Sequence, residues 1–416
     1  MRVLLTTVSE KSHVLTMAPL AWALTNAGHE VRVASAPAMT DTITNAGLSA
    51  VPVGTDHALH DALAQEDTVE NEFSDWSEPF LDKQNWEMLL LKYQVAVGYA
   101  FQPYNDTIVD DLVSFARSWK PDLVLWDPIT FAGGVAARAV GAAHARLNWC
   151  LDIYSTMREV FHQLAAQQPP EQRSDPMADW LGAQLESYGS DFHEDVVNGQ
   201  WTVDQVPTSI QIPLSVKRVP VRYTPYNGRS VIPSWLNEPQ ERRRVLLTPG
   251  MSFGKALGST FVPLKESFEA LSELDVEVVA TLSEREREAV GTFPDNARVV
   301  DFVPMHAALP TCSAVVHHGG FGTWSTAALY GVPQFILPIR MADMWIKAEQ
   351  TAKVGAGLYS HPTQTTAESL REGVRRLLDE SEFAEGAKNL RHGILETPTV
   401  NDIVPTLEDL TAAHRT

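Results

Sequence analysis

Ala314-Val315-Val316-His317-His318-Gly319-Gly320-Phe321-Gly322-Thr323-Trp324 decides the fold. The apolar run Ala314 to Val316 reads as a strand that ends in two histidines. A glycine-rich turn follows, then a helix-compatible run from Thr323 to Tyr330. Gly331 stands where a helix stops, and Val332-Pro333 leads into a second apolar run, Gln334 to Leu337. Strand, tight turn, helix and strand make one βαβ unit of a parallel sheet.

Three glycines within four positions let backbone approach a ligand closely. N–H groups at the start of the next helix lack intrahelical partners, and the helix dipole favours an anion there. Phosphate is the expected occupant, with His317 as a further donor. Read alone, the same stretch is also a glycine turn with two half-buried histidines.

A chain of 416 residues is long for one domain, so two of about 200 are expected. Acidic residues outnumber basic ones, 52 against 32, and no basic run is interleaved with aromatics. Nucleic acid is therefore an unexpected partner. An anionic ligand would have to be held locally, by helix ends and histidines. The two cysteines, Cys150 and Cys312, lie far apart and lack metal-ligand spacing, which suits a reducing cytoplasm without disulfide or zinc. The first apolar stretch is too short for a signal peptide, and no run reaches the roughly 18 apolar residues of a membrane span.

Toward the N-terminus, Arg2 to Thr7 suits a buried first strand. Ser12 stands at a helix N-cap position, and Val14, Met17, Ala18, Ala21 and Leu24 recur at helical spacing up to Gly28. Strands over Val31 to Ala34 and Ser49 to Val53 continue the doubly wound alternation. The first βα loop, Thr7 to His13, has no glycine, so a dinucleotide fingerprint is absent. It offers His13 instead, near the carboxyl edge of the sheet, where ligands bind in such folds.

Between Asp56 and about Lys120 the alternation breaks down in an aromatic, acidic stretch that reads either as packed helices or as a wall for a large apolar ligand. Order resumes over Pro121 to Pro128, a buried strand ending in the carboxylate of Asp127, followed by a helix over Phe131 to Val140 and a strand from His144 to Trp149. Asp127 stands where it can orient the imidazole of His13 as a general base, or else cap the next helix. Glu159 to Gln200 looks helical, and Val206 to Ile212 resembles one more strand.

The proline-rich Pro213 to Glu241 is the best domain boundary. The domains are accordingly expected at 1–212 and 242–395, joined by a linker at 213–241, with a closing helix over 396–416 crossing back to the first domain. In the second half, Arg243 to Thr248 ends at Pro249-Gly250-Met251-Ser252, a second turn able to present N–H groups and a hydroxyl. Phe302 and Val303 suit either a flat face for a base or core packing. Asp343 falls close to the start of a helix.

Two similar sheets with a phosphate loop in the second resemble the GT-B fold, two Rossmann-like doubly wound domains facing across a cleft. Lys11-Ser12-His13, Ala27-Gly28-His29-Glu30-Val31, Trp126-Asp127-Pro128, Phe302-Val303-Pro304-Met305 and His317 to Thr323 with Gly331-Val332-Pro333-Gln334 narrow the resemblance. They are similar to family 1 glycosyltransferases, and most to the actinobacterial enzymes that place dTDP-deoxysugars on macrolides, macrolactams and aromatic polyketides.

The resemblance implies an inverting, metal-independent transferase of the cytoplasm with no cofactor beyond its dTDP-sugar donor. It makes His13 the base and Asp127 its partner. It assigns the diphosphate to His317 and the N–H groups of Gly319, Gly322 and Thr323, with Gly250 and Ser252 on the other phosphate-side turn. Phe302 and Val303 fall where the family places its base, and His318 receives no role. An apolar polyketide aglycone is the implied acceptor. A helper resembling a P450 without its haem ligand, and a second copy of the chain, are candidate partners.

Many relatives carry an acid–glutamine pair on the sugar hydroxyls where this chain has Asp343-Met344. A buried amide facing a deoxy carbon would be left unpaired, whereas methionine would not, so a 2-deoxy or amino sugar is expected. Two rivals stay open: a sugar-nucleotide epimerase on the same fold, and a non-catalytic sugar-nucleotide-binding helper.

Overall fold

The computed structural model describes residues 1–57, 75–250 and 261–415. It divides into two compact units, the first of residues 1–206, 211–224 and 398–416, the second of residues 207–210 and 225–397. Among the described residues no helix is long and apolar enough to cross a membrane.

In the first unit, β1 (Arg2–Thr6), β2 (Glu30–Ser35), β3 (Ala50–Pro52), β4 (Leu123–Trp126), β5 (Ala143–Asn148), β6 (Trp201–Asp204) and β7 (Arg218–Pro220) form one parallel sheet. Its order is β3-β2-β1-β4-β5-β6-β7. The order reverses between β1 and β4, which pair with Thr6 opposite Trp126. Strands buried on both faces read as unbroken apolar runs, and Val3 to Leu5 and Leu123 to Leu125 are fully buried.

After β1 the chain enters α1 (Lys11–Asn26). Val14, Met17, Ala18, Ala21 and Leu24 are buried as their spacing requires. Ser12 is not the cap: the cap position falls two residues earlier, at Glu10, whose side chain makes no capping hydrogen bond. The expected strand Val206 to Ile212 is absent too. Thr208 to Ile210 is a turn, and the last strands of the sheet are β6 and β7 on either side of it. The described part of the aromatic stretch is mostly helical from Trp86 to Trp119, while Trp76 and Phe80 precede it in irregular backbone. Trp76, Tyr93 and Phe101 are buried in contact with one another or with Tyr154 and Phe161, while Tyr99 is exposed.

The second unit repeats the plan. β8 (Arg243–Thr248), β9 (Val276–Thr281), β10 (Ala297–Val300), β11 (Ala314–His317), β12 (Gln334–Ile336) and β13 (Gly357–Tyr359) form a parallel sheet. Its order, β10-β9-β8-β11-β12-β13, reverses between β8 and β11. Val245, Leu247, Val278, Ala280, Val316 and Leu337 pack on one face with Phe268 and Val374. Leu246, Val279 and Val315 pack on the other with Leu309 and Ala327.

Candidate functional site

Parallel pairing carries the chain out of β1 and β4 side by side, so Thr7 and Asp127 emerge together at the first reversal. The Thr7 hydroxyl donates to Asp127 Oδ2. His13, in the first turn of α1, places Nδ1 3.2 Å from the same oxygen. Asp127 is wholly buried, and 14% of the His13 side chain is exposed.

Of the two expectations for Asp127, the contact with His13 is present and the helix cap is not. Oδ2 faces the imidazole, while Oδ1 accepts the Ile129 N–H at 3.0 Å and shapes the following loop. The cap of α2 (Ala132–Val140) is Asn105, whose Oδ1 accepts the Ala132 N–H at 2.9 Å. Sequence reading missed Asn105 and the hydroxyl of Thr7. Neither lies in a local pattern that announces a long-range hydrogen bond.

Burial alone would raise the Asp127 carboxyl, but the charge and hydrogen bond of His13, with Thr7 and the Ile129 N–H, hold it below the usual carboxylate range. For His13, burial pulls downward, yet Asp127 and then Glu10 outweigh it and raise the imidazole above its ordinary value. A proton fixed on Nδ1 by a carboxylate leaves Nε2 as the nitrogen able to take one from a substrate.

In the second unit, Thr248 and His317 are paired at the ends of β8 and β11. His317 is fully buried and serves the turn from beneath: Nε2 lies 2.9 Å from Gln334 Oε1, and Nδ1 accepts the Gly319 N–H at 3.0 Å. Burial, then the neighbouring His318, pushes its pKa down to about 3, so the ring is neutral. His318, given no role by the sequence, is a wedge. A Cβ on Gly250 would lie 2.1 Å from its Cε1, and one on Gly320 2.5 Å from its Nε2. Gly250 and Gly319 also have left-handed φ, +85° and +95°, whereas Gly320 is needed for space alone.

Beyond the wedge begins α3 (Phe321–Tyr330), whose N-cap, Gly320, has no side chain to cap it. Its first-turn N–H groups, those of Gly322 and Thr323 included, have no carbonyl within the helix to meet. Asp343 precedes α4 (Met344–Lys353), and its carboxylate holds Lys347 Nζ at 2.9 and 3.1 Å. Met344 is buried beside Gly319, so the candidate sugar end and the glycine turn come together. Phe302 is more than a third exposed, while Val303 is buried with Leu246 and Val315 and can offer a ligand only backbone. Ser252 lies outside the described residues. Among the described residues, no group of three or more His, Cys, Asp or Glu is placed to hold a metal ion.

Two doubly wound parallel sheets in one chain, each with polar side chains gathered where its strand order reverses, are the GT-B architecture, and the class they define is the glycosyltransferases. Residues 22–250 match the family described as erythromycin biosynthesis protein CIII-like, N-terminal domain, and residues 265–410 match its C-terminal domain. The chain belongs to this family.

It is 46% identical to the 10-deoxymethynolide desosaminyltransferase of Streptomyces venezuelae, over 100% of this chain and 98% of the relative. It is 47% identical to the aclacinomycin-T 2-deoxy-L-fucose transferase of Streptomyces galilaeus, over 100% and 97%. Among solved structures, the glycosyltransferase VinC in complex with dTDP superposes with a TM-score of 0.88 at 38% identity, covering 99% of this chain and 100% of that one.

Proposed function

We propose that the protein transfers a deoxysugar from a dTDP-sugar to a hydroxyl of a polyketide aglycone, with inversion and without a bound metal. His13 Nε2 takes the proton of the acceptor hydroxyl. The freed oxygen attacks the anomeric carbon while the bond from that carbon to the diphosphate oxygen breaks, its electron pair leaving with dTDP. Asp127 stabilises the imidazolium so formed. Negative charge grows on the diphosphate as the oxocarbenium-like state is reached. The N–H dipoles of Gly322 and Thr323, fixed in the first turn of α3, are the groups to meet it.

The reading rests on the His13–Asp127 contact, a general base assembled from two strand ends in a chain whose relatives are named as deoxysugar transferases. Met344 supports a hydroxyl-poor sugar, because a thioether leaves no amide unpaired against a deoxy carbon. Asp343, already holding Lys347, supports it also.

The test is transfer from a dTDP-2,6-dideoxysugar and from dTDP-glucose to macrolactone and aromatic polyketide aglycones, followed by mass spectrometry with and without EDTA. The deoxysugar is expected to be preferred and EDTA to change nothing. His13→Ala should lower turnover by roughly 10²–10⁴-fold with dTDP affinity intact. An alanine variant as fast as the wild type removes His13 from the mechanism. Preference for dTDP-glucose removes the sugar assignment.

A further inference from the structure

Trp149 is the first residue past β5, the strand on the far side of β4 from β1. β4 and β5 run parallel with Trp126 opposite Arg146, so Asp127 and Trp149 leave the sheet at the same edge. The Trp149 ring lies against the imidazole of His13, with centroids 4.5 Å apart and planes inclined by 45°. Its indole nitrogen is buried and has no hydrogen-bond partner among the described residues. A buried N–H without a partner is unfavourable, so the polar edge of the indole is not what recommends tryptophan here. What remains is a broad π face, and π faces attract cations.

We propose that Trp149 is a positioning residue for the base, its π face on the imidazole and Asp127 at Nδ1 together fixing the ring and favouring the imidazolium formed when the acceptor is deprotonated. The inference rests on the reading of His13 as that base. Of the other charged groups near His13, Asp127 and Glu10 raise its pKa against the pull of burial. Asp127 comes from the end of β4 and Glu10 from the residue before α1; the Tyr104 hydroxyl, from the helix Gln102–Asn105, reaches Glu10 Oε1 at 3.4 Å, and His57 stands edge-on to the Tyr104 ring. Two carboxylates explain why the imidazole is basic. They do not fix the tilt of a ring tied at one nitrogen, and the indole does.

The experiment is a proton NMR titration of the His13 Cε1–H in the full chain, the signal assigned by its loss in His13→Ala. Trp149→Leu is expected to lower the His13 pKa by about half a unit, and Trp149→Phe, which keeps a π face, to restore most of it. Should the leucine variant not fold, fluorotryptophan incorporated into the unmutated chain keeps the shape and weakens the π face. The His13 pKa should then fall stepwise with the number of fluorines. A leucine variant titrating like the wild type, or no fall on fluorination, overturns the proposal. The two readings fail separately: sugar transfer by His13→Ala at the wild-type rate sinks the base itself, whereas an inactive His13→Ala with an unresponsive titration sinks only the role of Trp149.

Discussion

A carboxylate with no solvent on it, as Asp127 is, stays ionised only where donors and a positive neighbour outweigh burial. Here a hydroxyl, a backbone N–H and an imidazole meet one side chain, with the imidazole and the hydroxyl sharing Oδ2. Asp127→Asn leaves the shape but removes the charge that favours the imidazolium. Turnover should fall by about 10²-fold or more, while dTDP affinity, assigned to the other unit, holds. The pH dependence gives the sign. On the proposed mechanism the neutral ring of His13 is the working form, and its pKa is raised, so the wild-type rate should fall as pH drops through a value above the ordinary histidine one. Without the aspartate charge that acid limb should move to lower pH. A limb that stays in place in the kcat–pH profile of the asparagine variant would show that the pair does not set the basicity of the base.

At the scale of one element, the turn after β11 is a wedge between two glycines rather than a loose loop. Gly250 and Gly320 both lack room for a Cβ because of the same ring, that of His318, but only Gly250 also needs a left-handed backbone. Gly320→Ala should therefore weaken dTDP binding at least tenfold by displacing the ring and the start of α3. Adding His318→Ala removes the obstacle, so the double variant should bind dTDP better than Gly320→Ala alone. The same second substitution should rescue Gly250→Ala only in part, since an alanine at φ +85° stays strained after the clash is gone. Calorimetric titration of the four variants with dTDP measures this. Equal rescue at both glycines would contradict the geometry.

Across the whole molecule, the legible parts of the sequence were those governed by short-range rules. Buried parallel strands are apolar runs, helices end at glycine, and chemistry sits where such strands end, which brought out β1, β4, β8, β11, His13 and Asp127. What escaped was settled by distant partners. Within β6, Thr202 and Asp204 are buried polar residues that owe their place to Arg146, Asn148 and Gln211, so no unbroken apolar run marks the strand. β7 and β13, three residues each at a sheet edge, are too short to show a period. The closing helix α5 (Val404–His414) belongs to the core of the first unit, with Ile403, Val404, Leu407 and Leu410 buried among Val3, Leu5 and Trp201. Among the described residues this cluster shares no member with the apolar clusters on the two faces of the second sheet, and the unit carrying His13 is completed by residues that follow the entire second sheet. Leu407 is fully enclosed, so Leu407→Ala should cost about 2–5 kcal/mol in the unfolding of the first unit. The glycine turn draws on the other core, so dTDP affinity should stay within about twofold while His13-dependent transfer is lost at lower urea than in the wild type. Urea unfolding followed by transfer activity, beside calorimetric dTDP binding, separates the two. A tenfold loss of dTDP affinity in Leu407→Ala would mean that the cores do not stand apart.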